Sequence, residues 1–325
     1  MAVLVTGGAG YIGSHMVNAL VDGSEQVIVV DDLSSGDLNL VGRAAVFYEG
    51  NVSNSRLIST IIAQHSIDTI IHFAGSVVVP ESMKNPLKYY DNNTSASRNL
   101  IEVAVASGVP NFIFSSTAAV YGEVGLSLVD ENAPVCPVSP YGRSKLMTEL
   151  MLNDVARAHD FRHVSLRYFN VAGADEKGRC GQSNRLASHL IKKACQVALG
   201  RAQWLDVYGQ DYPTPDGTGV RDYVHVSDLV DAHVLAINYL RDGGRSATMN
   251  CGYGRGASVL EIAKVVGSVT GNPLPLRFCP RRLGDAPSVV ADSRLLRETL
   301  GWSAKYDDLE LIVRTALMWE KRLIE

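Results

Sequence analysis

Tyr141-Gly142-Arg143-Ser144-Lys145 sets a phenol and an ammonium four residues apart, a spacing that a helix stacks on one face. Free tyrosine has a pKa of about 10 and is a poor base at neutral pH. A neighbouring cation favours the phenolate, and the pair can then take the proton of an alcohol. Upstream, Phe112-Ile113-Phe114-Ser115-Ser116-Thr117 reads as a strand ending in a hydroxyl that can bind the reacting oxygen. The pair alone also describes an ordinary surface helix; its companions give it a chemical reading.

Those companions lie near the start of the chain. Val3-Leu4-Val5-Thr6-Gly7-Gly8-Ala9-Gly10-Tyr11-Ile12-Gly13 reads as strand, glycine turn and helix. Such glycines let the backbone approach a pyrophosphate, whose charge rests on the free N–H groups of the helix N-terminus. The spacing is G-x-x-G-x-x-G, and by itself it would also suit a plain tight turn. Asp31 ends the next strand, where a carboxylate accepts hydrogen bonds from an adenosine ribose and repels a 2′-phosphate. With Asp32 doubling the charge, NAD is expected rather than NADP. The simpler reading of Asp31 and Asp32 is that they cap the turn Leu33-Ser34-Ser35-Gly36. A bound nicotinamide cation would favour the Tyr141 phenolate further.

The elements that must carry these groups alternate along the first half. Strands are expected at Met1–Thr6, Gln26–Val30, Ala45–Tyr48, Thr69–Phe73, Asn111–Ser115 and Val164–Tyr168, with a helix at Ile12–Val21. Short continuous Val/Ile/Phe runs between helices indicate a parallel sheet buried on both faces, the doubly wound Rossmann α/β architecture. Gly7–Gly13, Asp31, Asn51, Phe73-Ala74-Gly75, Thr117 and Tyr168-Phe169-Asn170 all fall at or just after strand C-terminal ends. In open α/β sheets ligands bind at that edge. Beyond about Phe169 the loops lengthen and gain Gly and Pro. We expect a smaller, interleaved C-terminal lobe from about 171–223 and 246–325, with 1–170 and about 224–245, including a helix at Val226–Arg241, forming the cofactor domain.

Composition narrows the function. The 325 residues are 46% hydrophobic and 20% charged, enough for a large core. Thirty Lys+Arg against 34 Asp+Glu give a net charge of -4; neither a basic excess nor a basic stripe marks a nucleic-acid binder. The first residues show no basic leader or small-residue cleavage site, and no uncharged run nears the roughly 20 residues of a membrane span. Five cysteines are scattered without metal-ligand spacing, so no metal site and a reducing, cytoplasmic setting are expected.

Taken together the chain resembles the extended short-chain dehydrogenase/reductase family, and within it the UDP-hexose 4-epimerases, over nearly its whole length. The likeness is carried by VTGGAGYIGSH, VVDDLSSG, HFAG, YYDNN, FIFSSTAAVYG, SPYGRSK, LRYFNVAGA, VYGQDYPTPDGTGVRDYVHVSDL, and GDAP followed by ADS. The stretch from Asp211 to Asp228 is the most specific, because the generic dehydrogenase pattern lacks it. The resemblance implies Thr117, Tyr141 and Lys145 as the catalytic group. It sets NAD against Gly7, Gly10, Tyr11, Ile12, Gly13, Asp31, Asp32, Asn51, Val52, Phe73, Ala74, Gly75, Asn92 and Phe169, with Lys145 on its ribose. It directs a UDP-hexose to Asn170, His189, Leu190, Tyr208, Arg221, Arg282, Asp285 and Val289. Arginine forks suit a diphosphate, although Arg221 beside Asp222, or Arg282 after Arg281, would otherwise read as surface charge.

Several positions depart from the family pattern. Asn51 stands where Asp is usual, Val77 where many members carry Lys, and His189 where Asn is frequent. Val289 occupies a place that holds Tyr in some members and a small residue in others. A small side chain leaves space for an N-acetyl group, so turnover of UDP-N-acetylhexosamines is expected. Ala118-Ala119 after Thr117 cannot move protons, which excludes a 4,6-dehydratase needing an acid and a base there. A net NAD-dependent nucleotide-sugar dehydrogenase or reductase is the alternative within the family, and a dinucleotide-sensing protein without chemistry the alternative outside it. Amphipathic stretches at Pro86–Ser107 and Tyr141–His159 suggest a homodimer through paired helices, as family members commonly form.

Overall fold

The structure, a computed structural model, describes residues 1–123, 128–184, 187–282 and 285–324. Its strands are β1 Ala2–Thr6, β2 Gln26–Asp31, β3 Val46–Glu49, β4 Ile67–His72, β5 Asn111–Ser115, β6 Arg162–Tyr168, β7 Asn170–Ala172, β8 Leu205–Tyr208, β9 Val220–His225, β10 Ala247–Cys251, β11 Gly256–Ser258, β12 Leu276–Cys279 and β13 Ser288–Val289. Its helices are α1 Tyr11–Asp22, α2 Ser55–His65, α3 Val79–Lys84, α4 Pro86–Tyr89, α5 Ala96–Ala106, α6 Pro140–Ala158, α7 Leu190–Ala198, α8 Val226–Arg241, α9 Val259–Thr270, α10 Arg294–Leu300 and α11 Leu309–Arg322.

Seven strands form one sheet in the order β10-β6-β5-β4-β1-β2-β3, every neighbouring pair parallel. Alternation along β1 explains why both faces are covered. Val3 and Val5 point into a core with Met16 and Val17 of α1 and Leu229 of α8. Leu4 points the other way, to Ile58 and Ile61 of α2, Leu100 of α5 and Leu152 of α6. Residues of opposite parity on a strand face opposite sides, and a parallel sheet buries both. The order reverses between β1 and its neighbour β4, which opens a crevice above their C-terminal ends.

A second group comprises β11-β9-β13, with β7 also on β9, and the pair β12-β8. Against it pack α7, α9 and α11 through Ile191, Cys195, Ile262, Val266, Ile312 and Val313. One boundary shifts from the sequence reading. The change in loop texture places the segment from about 246 in the second lobe, yet β10 pairs with β6 from Ala247↔Val164 to Cys251↔Tyr168 in the large sheet. Ala-Thr-Met-Asn-Cys lacks the β-branched run that marks a buried strand, so only the return of the chain through α8 shows where it belongs. The Pro86–Ser107 stretch is also not a continuous α-helix: a π turn over Tyr90–Ser95 interrupts it. Among the described residues, no helix is long and apolar enough to cross a membrane.

Candidate active site

A cleft of about 1310 Å³ runs from the glycine turn across the sheet edge to the second lobe. That exceeds the roughly 300–1,000 Å³ of a typical small-molecule pocket and suits two nucleotide-sized ligands end to end. Every residue singled out from the sequence lines it, with the exception of Lys145.

At one end Gly7 adopts φ +71, and a Cβ on Gly13 would fall 2.1 Å from the Gly7 carbonyl oxygen. Only glycines let the turn fold this tightly onto α1. Gly10 caps α1 without a side-chain hydrogen bond, and the first turn carries no acidic residue. The N–H groups that a helix leaves unpaired at its start therefore meet the cleft uncovered, as a pyrophosphate requires. Asp31 takes one backbone amide on each carboxylate oxygen, from Ala9 at 2.9 Å and Leu33 at 2.9 Å. It thus caps its own turn and still keeps a lone pair on each oxygen for a ribose. Burial raises its pKa, while these amide bonds act to lower it. Asn51 donates to Asp32 at 2.9 Å. A carboxylate at position 51 would face Asp32 with like charge, so the amide suits this chain.

The centre of the cleft is built on α6 and the end of β5. Ser139 caps α6 through the Gly142 amide at 3.1 Å, and Pro140 occupies the first helical position, which suits its fixed φ. Tyr141 then sits in the first turn, 8% exposed. Burial raises its pKa and a hydrogen bond with Thr117 opposes that rise. Thr117 Oγ1 also accepts the Ala119 amide at 3.1 Å, which fixes its rotamer at the start of a short 3₁₀ turn. Lys145 lies one helical turn below and is 2% exposed. Its Nζ donates to the Ser115 carbonyl at 2.9 Å and sits 4.9 Å from the Phe114 ring centroid. Burial lowers its pKa to about 8, against the opposing field of Glu149. The ammonium thus supports the cleft from beneath its floor. The bare Gly75 backbone lies above it, where a Cβ would be 3.8 Å from Nζ.

At the other end Arg221 pairs with Asp285 and donates to the Val220 carbonyl at 2.8 Å. The Arg282 guanidinium lies over the Tyr208 ring at 3.8 Å. Val289 is paired in register with Arg221, so the small side chain and the cation share one wall. His189 and Leu190 form the start of α7, and Asn170 opens β7. Gly284, part of the Gly-Asp-Ala-Pro motif, lies outside the described residues. No individual role is legible in the sequence for Glu149, Arg167, Tyr168 or Asn93, although the last three fall inside the motifs that carry the family likeness. Asn93 joins the Ser76 amide at 2.7 Å to the Ser144 hydroxyl at 3.0 Å, tying the π turn to α6. Only Glu149, one turn beyond Lys145, left a signal in the local spacing.

A sheet-edge crevice with a dinucleotide turn at one end and cations at the other defines a nicotinamide-dependent α/β enzyme acting on an anionic alcohol. The chain belongs to the NAD dependent epimerase/dehydratase family, whose profile matches residues 3–252. It is 52% identical over 321 residues to a UDP-glucose 4-epimerase of Azospirillum brasilense, covering 99% of this chain and 92% of that protein. Among solved structures, the UDP-glucose-4-epimerase of Stenotrophomonas maltophila, with bound NAD and formylated UDP-arabinopyranose, superposes with a TM-score of 0.96 at 41% identity, covering 100% of this chain and 99% of that one. The UDP-Glc/GlcNAc 4-epimerase of Campylobacter jejuni gives 0.87 at 43% identity, covering 99% of both.

Proposed function

We propose that the protein inverts C4 of a UDP-hexose, interconverting UDP-glucose and UDP-galactose through a 4-keto sugar, with no net redox change. The observation that carries this reading is the meeting of Thr117 and Tyr141 with Arg221 and Arg282 in one cleft. When bound, NAD supplies a reversible hydride acceptor whose pyridinium charge favours a nearby phenolate. Tyr141 takes the C4 hydroxyl proton and later returns it. Thr117 donates a hydrogen bond to the same oxygen and orients it. Lys145, held on the Ser115 carbonyl, supplies the positive charge that stabilises the Tyr141 phenolate. Gly7–Gly13, Asp31 and the edge formed by Asn51, Val52 and Phe73–Gly75 hold the dinucleotide. Arg221 and Arg282 hold the substrate diphosphate; Arg221 must trade Asp285 for a phosphate to do so.

Firm anchoring at the diphosphate and a loosely held sugar are both required, since the keto sugar must present its other face before it is reduced. Val289 leaves the sugar wall open, and we include UDP-N-acetylhexosamines among the substrates. The similarity to the Campylobacter jejuni enzyme supports this. The test is to offer UDP-GlcNAc to the wild type and to Val289→Tyr. We expect turnover by the wild type, with the variant losing UDP-GlcNAc and keeping UDP-galactose; no turnover by the wild type removes the claim.

We assign residues 1–170 and about 224–251 to the cofactor lobe, and 171–223 with the remainder to the UDP-sugar lobe. A homodimer through the 86–106 and 140–158 helices is favoured by the apolar surface there: Leu87 is 76% and Leu150 56% exposed. Five free cysteines suit a reducing cytoplasm.

A further inference from the structure

Beneath the cleft, α6 grips the end of β5 at three successive turns, and only two of the grips belong to the Tyr-x-x-x-Lys motif. Tyr141 meets Thr117, and Lys145 donates to the Ser115 carbonyl at 2.9 Å. Glu149, one turn further along the same face, accepts the Ser116 hydroxyl. Three consecutive residues of the strand end are thus held by three rungs of one helix. Glu149 is itself clamped by Arg167 of β6, which donates from Nη2 at 2.6 Å and from Nε at 3.0 Å. Both side chains are buried, 3% and 9% exposed. Removing two charges from water is costly, so packing alone gives no reason to place them there. Arg167 continues the network to the Tyr121 phenol at 3.1 Å, and Tyr121 donates to Asn250 at 2.7 Å.

We propose that Glu149 is a positioning residue of the catalytic group: backed by Arg167, it fixes Ser115–Thr117 against α6 and places a carboxylate one helical turn from Lys145. This rests on the roles proposed above for Tyr141 and Lys145. The charged and titratable groups that act on Lys145 are Glu149 on α6 and His72 on β4; Tyr89 on α4 and Tyr168 on β6 face Tyr141, and Arg167 on β6 pairs with Glu149. Burial pushes His72 down to about 3, leaving it neutral. Tyr89 packs edge-on to Tyr141; burial raises its pKa, as it does that of Tyr168, so both stay neutral phenols. Glu149 is the one carboxylate in this set, and its field opposes the loss of the Lys145 proton that burial promotes.

The test is Glu149→Gln in the full chain with its NAD, measured as kcat, KM and the pH profile of kcat on UDP-galactose. We expect kcat to fall about tenfold with KM within about twofold, and the basic limb to move about one pH unit lower, because Lys145 loses its proton more readily. The double variant Glu149→Gln/Arg167→Gln removes the unpaired buried guanidinium; it should fold and show a smaller shift of the same sign. It carries the test if the single variant does not fold. A folded variant whose basic limb stays in place overturns the proposal, even with reduced kcat, since loosened packing alone does that. Tyr141→Phe is run beside them. If it keeps wild-type kcat, the catalytic roles fail first and this inference with them; if it is inactive and the Glu149 profile is unchanged, only this inference fails.

Discussion

Tyr141 is held between opposing influences. Burial works against the phenolate and the Thr117 hydrogen bond works for it; in the proposed mechanism the Lys145 charge and NAD, when bound, would add to the second side. Replacing it with Phe keeps the packing but removes the base; kcat should fall by about 10²–10⁴ with the NAD content of the purified protein unchanged. The ammonium of Lys145 has a pKa lowered to about 8, so it is charged below that pH and loses its proton above it. The sign follows: kcat should decline as pH rises through about 8, and a profile flat to pH 10 would contradict the role given to Lys145. At this scale the sequence was most informative where partners are close in the chain. Tyr141 and Lys145 share a helix face, and Asp31 ends a strand next to the turn it caps. It was silent on Arg167, whose partner Glu149 lies across the sheet-to-helix interface, because no local spacing records a pairing formed by packing.

Among the elements, the glycine turn and α1 act as one unit. Gly13→Ala would drive a Cβ to within 2.1 Å of the Gly7 carbonyl, and backbone cannot yield as a flexible side chain can. We expect the variant to lose NAD on purification and to unfold at a lower temperature, checked by cofactor release and a thermal melt; full NAD retention would show that the turn relaxes. The buried strands of the first half were legible because continuous Val, Ile and Phe runs admit few other readings. Two elements were not. β10 is short and built of small and polar residues, so its place in the large sheet is set by the crossover through α8 rather than by its composition. The π turn at Tyr90–Ser95 carries a helical pattern, and its interruption serves Asn92 and Asn93, which reach the Ser76 loop and α6.

For the whole molecule, the proposed function divides the ligands between two lobes: the switch point of the parallel sheet would take NAD, and the second lobe, with Arg221, Arg282 and Val289 on the cleft, would take the UDP-sugar. A chain of two buried hydrogen bonds runs from one lobe to the other through Val129. Asn250 of β10 donates to the Val129 carbonyl at 2.8 Å, and the Val129 amide donates to Val290, beside the sugar wall, at 2.9 Å. The central claim is that C4 gives up its hydrogen and takes the same hydrogen back on its other face. The direct measurement is to incubate the purified protein with UDP-galactose deuterated at C4, with no cofactor added, and to follow products by mass spectrometry. The account predicts UDP-glucose accumulating to a stable ratio, with the deuterium kept at C4 and no build-up of reduced cofactor. Loss of the label to water, or steady production of reduced cofactor on adding NAD⁺ without UDP-glucose, would contradict it.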